Sequence, residues 1–119
     1  FDQCIAPVEE ALERDRPEAV IAAFKARYLS QRHVDDPGMG CPLPSLGSDS
    51  AREPEDVKAE FAAGLSRVVN AMSAASKGKT AQARQMEALR EMATMVGAIL
   101  LARACGEPMA SEILQACRD

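Results

Sequence analysis

The sequence predicts an all-α domain of about six helices, and three observations lead to this prediction. Aromatic residues make up only 3% of the chain, whereas Ala, Met, Leu, Glu and Arg, which lose least on entering a helix, are plentiful. Apolar residues recur at spacings of three and four, and no stretch shows the alternation that is typical of a strand. Prolines and glycines fall where such helices are expected to begin and end.

Length and charge limit the class of protein. The 119 residues have the usual length of one domain, so residues 1–119 are predicted to form one unit with its own core. The net charge is −4 without a run of Lys or Arg, and nucleic-acid binding needs clustered cations, so we expect this chain not to bind DNA by itself. The longest uncharged apolar run, residues 92–102, is far shorter than the ~20 residues of a membrane span, so we expect no membrane partner. The start at Phe1 instead of Met indicates a piece of a longer protein.

Two helices are predicted in the first 28 residues. The first covers residues 1–14 and contains Pro7, which predicts a kink or a restart at that point. The second begins at Pro17, because a fixed φ and a missing N–H suit the first turn of a helix. The apolar faces of these two helices are Phe1, Ile5, Val8 and Leu12, and then Val20, Ile21, Phe24 and Tyr28.

Residues 31–47 are rich in turn-forming residues and predict a loop that leads into a short helix over residues 43–52. The one histidine of the chain, His33, lies here and is followed by Asp35 and Asp36. We interpret this group as a helix end and a turn, with the carboxylates capping backbone N–H groups, instead of a metal site or a general base. Since no other stretch offers a nucleophile or ligand set, we expect neither an enzyme nor a metal or cofactor.

Four cysteines, at positions 4, 41, 105 and 117, show neither C-x-x-C nor metal-type spacing. In a chain with its own core and no secretory features we expect them to be reduced, which indicates the cytoplasm. Cys41 precedes Pro42 at the expected start of a short helix, where the helix dipole lowers the pKa of a thiol. A redox-sensing Cys41 therefore stays open as an alternative to a buried packing residue.

A long helix is predicted from Pro54, with Glu55 and Asp56 in its first turn, to Lys77-Gly78-Lys79. Its apolar face is Val57, Phe61, Leu65, Val68, Met72 and Ala75. The next helix is predicted over residues 81–105, and Gly106 and Pro108 separate it from a last helix. The apolar residues of the last helix are expected to point inward: Met109, Ile113, Leu114, Ala116 and Cys117.

The helix over residues 81–105 predicts an interface between two copies of the chain. One side of it is expected to face the core: Met86, Leu89, Met92, Ala93 and Val96. Beyond Met92 the opposite side also loses its charge, and a helix that is apolar all round must be covered all round. We expect a second copy to cover it in a four-helix interface, although the last helix alone is the simpler alternative. The predicted interface residues are Thr94, Gly97, Ala98, Leu101, Cys105, Met109 and Ile113.

Several segments resemble the TetR/AcrR-type transcriptional regulators. Tyr28-Leu29-Ser30, His33, Asp35-Asp36-Pro37-Gly38 and Gly40-Cys41-Pro42-Leu43 are similar to the central segment of one branch of that family. Residues 96–104, VGAILLARA, resemble the long penultimate helix of that branch, and Glu112-Ile113-Leu114 its last helix. The resemblance covers essentially the whole chain.

The resemblance implies the C-terminal, effector-sensing and dimerisation domain of a repressor. Such a domain dimerises through its last two long helices and encloses a pocket, and effector binding there releases operator DNA. The operator would be bound only through an N-terminal helix-turn-helix domain, which nothing in this sequence resembles. Six residues are expected to line a flexible, apolar pocket for a hydrophobic or aromatic small molecule, with Tyr28 as a polar handle: Phe24, Tyr28, Phe61, Leu65, Met72 and Met92.

A different class of function is a helical interaction module without a ligand. A deep apolar cavity within the subunit would favour the sensing domain, whereas a filled core would favour the interaction module.

Overall fold

The computed structural model describes residues 2–118, which form seven α-helices, one short 3-10 helix and no strand. The helices are α1 (Asp2–Leu12), α2 (Pro17–Tyr28), α3 (Gln31–Asp35), a 3-10 turn (Pro37–Met39), α4 (Pro42–Ser50), α5 (Glu55–Ser73), α6 (Ala81–Cys105) and α7 (Met109–Arg118). The all-α prediction is confirmed, and the helices outnumber the predicted six because α3 and the 3-10 turn occupy the predicted loop. Phe1, which was placed on the apolar face of the first helix, lies outside the described residues.

Local sequence explains most helix ends. α2 begins at Pro17 as predicted, whereas α1 continues through Pro7 without a restart. α3 is capped by Ser30, whose side-chain oxygen accepts a hydrogen bond from the N–H of His33 at 3.2 Å. The predicted capping by Asp35 and Asp36 is wrong: Asp35 accepts a side-chain bond from Gln31, and Asp36 makes no capping bond.

The ends of the long helices follow the same rules. α5 starts after Pro54 as predicted but ends at Ser73, before the Lys-Gly-Lys segment. α6 has the predicted bounds, since the Thr80 hydroxyl accepts from the N–H of Ala83 at 3.0 Å and the chain turns at Gly106. Gly106 has a φ of +68°, a conformation that favours glycine, and it separates α6 from α7.

α6 is the central element, because α3, α4, α5 and α7 all pack against it, while α1 packs against α2 and α5. Its buried side consists of Ala88, Met92, Met95, Ala98, Ile99 and Ala102. Small alanines alternating with long, flexible methionines allow neighbouring helices to approach closely while gaps are filled.

Polar side chains join elements that are distant in sequence. Arg67 of α5 binds the Glu9 carboxylate of α1 with two nitrogens, at 2.7 Å from Nη2 and 3.0 Å from Nε, and also contacts Asp2. Lys25 of α2 lies 3.0 Å from a carboxylate oxygen of Glu91 of α6. These pairs are partly exposed and set the relative positions of the helices more than they stabilise the fold.

Candidate functional site

An uncovered apolar surface runs along α6 and onto α7. Seven large apolar side chains are exposed among the described residues, and five of them lie on these two helices. We call these five residues the α6–α7 face: Met86, Leu89, Leu100, Leu101 and Met109, each 40–51% exposed. Single exposed apolar side chains are ordinary, but their grouping on adjacent elements marks an interaction surface.

The periodicity of α6 groups small and apolar residues on one side of the helix, where the exposed Arg90, four residues after Met86, is the one charged residue between Met86 and Ala104. Met86, Ala93, Gly97, Leu100 and Ala104 fall on one side of the helix, at successive spacings of seven, four, three and four residues. A Cβ added at Gly97 would meet nothing within 4 Å, so the space above it is open. The centre of the α6–α7 face therefore consists of small residues and has long apolar residues at both ends.

The predicted interface coincides with this surface only in part. Thr94, Leu101, Cys105 and Met109 are exposed, and Gly97 and Ile113 are half-buried. Ala98 is 3% exposed and belongs to the core, so its predicted place on the outer side is wrong. The part of α6 that follows Met92 has no charged residue on its outer side. Periodicity alone therefore could not show which of its two apolar sides faces the core.

Most of the α6 residues that were expected to face the core do not lie in it. Met92 is buried as predicted, but Met86, Leu89 and Ala93 are exposed and Val96 is half-buried. On α7, Leu114 is buried as predicted together with Ala110. Ile113 and Cys117 also point inward as predicted, since they are half-buried and pack against the core, whereas Met109 and Ala116, expected on the same side, are exposed.

His33 joins two backbone segments at the corner between α2 and α4. His33 is 8% exposed; its Nδ1 donates to the Tyr28 carbonyl at 2.8 Å, and its Nε2 accepts from the Cys41 N–H at 3.1 Å. These partners assign the neutral tautomer with the proton on Nδ1. Burial has the largest effect on the pKa of His33 and lowers it. The hydrogen bond to the Tyr28 carbonyl raises this pKa, and the positive charge of Arg103 lowers it, so the net shift is downward. Both ring nitrogens serve the backbone, so the arrangement leaves neither for a metal or a proton transfer.

Arg103 and Gly40 complete this corner. Arg103 of α6 donates from Nη2 to the His33 carbonyl at 2.6 Å and from Nε to the Val34 carbonyl at 3.2 Å, which satisfies carbonyls at the end of α3. A Cβ at Gly40 would lie 2.1 Å from the His33 ring, so this close approach requires glycine. Sequence reasoning missed both roles; the signal for Arg103 was that it is the one charged residue between Ala93 and Ala104.

The six residues expected to bind an effector come together in the core. Phe24, Tyr28, Met72 and Met92 are 0–4% exposed, and Phe61 and Leu65 pack half-buried against the same core. The rings of Phe24 and Tyr28 meet edge to face with centroids 5.7 Å apart. Two surface clefts, of about 590 and 570 Å³, are lined by other residues. The effector pocket therefore stays a prediction.

No protein-family model matches this chain, and a comparison with curated proteins found no similar sequence. The resemblance to TetR-type regulators rests on the sequence segments alone. None of the described helices is long and apolar enough to cross a membrane. Within residues 2–118, no three His, Cys, Asp or Glu side chains are grouped so as to hold a metal ion.

Proposed function

We propose that this chain is the dimerisation and effector-sensing domain of a TetR-type transcriptional regulator and that it pairs with a second copy through the α6–α7 face. The observation that carries the proposal is the grouping of five exposed apolar side chains on the last two helices. Each Å² of apolar surface removed from water contributes about 25 cal/mol to association, against the cost of lost translational and rotational freedom, and interfaces of permanent homodimers are correspondingly apolar.

A second copy of the same chain fits this surface better than an unrelated partner. Two-fold symmetry places α6 and α7 against the same helices of the partner, which gives a closed four-helix interface. Ala93, Gly97 and Ala104 lack bulky side chains, so two α6 helices can approach to roughly 8 Å between their axes. Met86 and Leu101, which lie on either side of Ala93 and Gly97 along α6, then have apolar neighbours in the partner.

The family resemblance supports the same elements. TetR-type domains dimerise through their last two long helices, and the stretch that resembles the penultimate helix, residues 96–104, belongs to α6. In this proposal operator DNA is bound by a helix-turn-helix domain such as the resemblance implies, and the present chain sets the spacing of two such domains. The small-molecule effector is the part of the proposal that is supported by the resemblance alone.

A helical interaction module without a ligand is the second candidate function. It is favoured by the packing of Phe24, Tyr28, Met72 and Met92, which fill the core where the effector pocket was expected. Both candidates require the α6–α7 face, and only the first requires a ligand.

The dimer is tested by Leu101→Glu. Leu101 is 51% exposed, so glutamate is tolerated in a single subunit, but a dimer would bury two like charges near its two-fold axis. We expect a loss of several kcal/mol in association free energy and a folded monomer. Sedimentation velocity at micromolar concentration measures the mass, and circular dichroism confirms that the helices are retained.

Ala63→Glu is the matched control, because Ala63 is exposed on α5, away from the α6–α7 face. This variant should remain a dimer like the unsubstituted chain. A Leu101→Glu protein that sediments as a folded dimer would contradict the proposed interface.

A further inference from the structure

The cleft between α1 and α2 combines an apolar floor with three arginines. Its volume is about 570 Å³, and it shares no lining residue with the α6–α7 face or with the six residues expected to bind an effector. We propose that this cleft binds an elongated small molecule that is apolar along its middle and carries a carboxylate at each end. The inference goes beyond the proposed function and does not depend on the dimer.

The floor of the cleft consists of apolar side chains from both helices. The lining positions on α1 and those on α2 have the same i, i+1, i+4 spacing, so each helix turns one apolar side toward the cleft. Val8 and Val20, 2% and 8% exposed, are the most buried of these residues, and the others have short side chains that leave space for a hydrocarbon chain. The floor residues are Pro7, Val8, Ala11, Ala19, Val20 and Ala23.

Positive charge lies at both ends of this floor. Arg14 and Arg16 line the cleft from the short connection between the two helices, whereas Arg27 lines it from the last turns of α2. Arg16 and Arg27 are about 16 Å apart along the helix axis, since each residue of an α-helix adds about 1.5 Å. Helices joined by so short a connection run antiparallel, so Arg27 marks the end of the cleft opposite to Arg14 and Arg16.

The three arginines have no carboxylate partner within the part of the chain that the structure describes. All three are exposed, and the ion pairs formed among residues 2–118 involve other cations. Asp15, the one acid among the described residues that line the cleft, offsets only one of the three positive charges. A local excess of positive charge in a chain of net charge −4 is complementary to an anionic ligand, and guanidinium groups bind carboxylates in a paired geometry.

The separation of the charges indicates the shape of the ligand. The volume of the cleft lies within the range of small-molecule sites, roughly 300–1,000 Å³. An extended hydrocarbon chain advances about 1.25 Å per bond, so dodecanedioate spans about 14 Å between its two carboxyl carbons. The flexible side chains of Arg16 and Arg27 cover the remaining distance, whereas a ligand with one carboxylate leaves the arginine at one end in water.

The test uses dodecanedioate as the probe, with titration calorimetry for the affinity and ¹H–¹⁵N NMR of the chain for the position. We expect shifts at the N–H groups of Ala11, Ala19 and Ala23, and an affinity that falls as NaCl is raised, because exposed ion pairs are screened by salt. 12-Hydroxydodecanoate, which has one carboxylate, should bind about three- to fivefold more weakly, as expected for the loss of one exposed ion pair. 1,12-Dodecanediol, which has none, should bind more weakly again.

Two double variants test the charges. Arg16→Gln/Arg27→Gln removes one positive charge from each end of the cleft and should weaken dodecanedioate binding about tenfold. Arg32→Gln/Arg52→Gln is the matched control, because it removes the same charge from exposed arginines that do not line the cleft, and its affinity should equal that of the unsubstituted chain.

Two further variants test the shape. Ala23→Leu should fill the floor of the cleft and weaken binding at least as much as the loss of the two arginines. Ala22→Leu makes the same change at the neighbouring exposed residue, which does not line the cleft, and should leave binding unchanged. Both variants are expected to fold, because leucine is nearly as good a helix former as alanine, and circular dichroism checks this.

The proposal is overturned if dodecanedioate does not bind, or if it binds no more tightly than the diol. Equal effects of the two arginine pairs, or of the two leucine substitutions, would also contradict it, as would NMR shifts confined to the α6–α7 face or to the core. Leu101→Glu should bind dodecanedioate like the unsubstituted chain, so failure of the proposed dimer and failure of this site are distinguishable.

Discussion

His33 acts at the residue scale as a connector of backbone segments. One ring nitrogen donates a hydrogen bond to the Tyr28 carbonyl at the end of α2, and the other accepts one from the N–H of Cys41. Arg103 donates a hydrogen bond to the backbone carbonyl of His33. Buried polar groups that are each satisfied in this way fix one conformation of a loop, because losing a partner leaves a buried group without a hydrogen bond. The residues around His33, and not a cap by Asp35 or Asp36, therefore determine the shape of residues 31–41.

This arrangement predicts that stability falls at mildly acidic pH. Burial lowers the pKa of His33 in the folded protein, so the unfolded chain binds the proton more tightly. The contribution is complete above the ordinary pKa of 6.5 and is lost as the pH falls below it. We expect the free energy of unfolding, measured with urea, to fall between about pH 7.5 and about pH 5.5, by at most about 1.4 kcal/mol per pH unit for this single proton.

His33→Gln is the control for this pH dependence. Glutamine retains hydrogen-bonding atoms but does not titrate, so the variant should be less stable at neutral pH and lose less stability on acidification. The difference between the pH profiles of the two proteins therefore reports His33. Identical slopes in the two proteins would show that His33 does not contribute to the pH dependence.

At the element scale, local signals in the sequence predict the bounds of α6 but not which of its sides faces the core. Its bounds follow from Thr80 and Gly106, a capping hydroxyl and a glycine stop, which are local signals visible in the sequence. Its orientation depends on which neighbours cover it, and the apolar residues on both sides gave no local signal to decide this. That is why Met86 and Leu89 were placed inward and Ala98 outward, the reverse of their positions in the structure.

The link between α6 and α7 predicts a large effect of Gly106→Ala. Gly106 has φ +68° and ψ −173°, a region that is essentially restricted to glycine. We expect alanine to lower the free energy of unfolding by about 1–3 kcal/mol, measured by urea denaturation at a fixed protein concentration.

Gly38→Ala is the matched control for Gly106. Gly38 has no positive φ, and the nearest atom to an added Cβ is an Asp36 oxygen at 4.0 Å. This substitution should change stability by less than about 0.5 kcal/mol. Equal effects of the two substitutions would show that the backbone conformation of Gly106 is not what the alanine disturbs.

At the scale of the whole molecule, the contacts that sequence reasoning missed are the long-range ones. Arg67 and Glu9 join α5 to α1, and Arg103 of α6 binds the carbonyls of His33 and Val34, 70 and 69 residues earlier in the chain. Helices and their apolar faces are set by near neighbours in sequence, whereas these pairs are set by how the helices dock. In α2 and α5 the burial of Phe24, Tyr28, Val68 and Met72 follows from periodicity within each helix, whereas Val57, expected on the same apolar face of α5, is exposed because it lies at the start of that helix.

The last prediction concerns the effector, which distinguishes the two proposed functions. Phe24, Tyr28, Met72 and Met92 are packed together, so a ligand has to displace flexible side chains to enter, and methionines permit this. A neutral aromatic compound bound only by the folded state raises stability by about 2.7 kcal/mol at a hundredfold excess over its Kd, which raises the Tm by roughly 10 °C in a chain of this size.

Indole, 2-naphthol and 2-phenylphenol are suitable probes for thermal denaturation, with glucose as a polar comparison. We expect at least one aromatic probe, but not glucose, to raise the Tm. Met72→Lys should abolish this rise by placing a charge in the apolar site, whereas Ala63→Glu on the exposed side of α5 should retain it. If Met72→Lys does not fold, Met72→Leu, which conserves the apolar character, should weaken the rise without a loss of structure. An unchanged Tm with every aromatic probe would favour the interaction module, because the α6–α7 face requires only a second copy and no ligand.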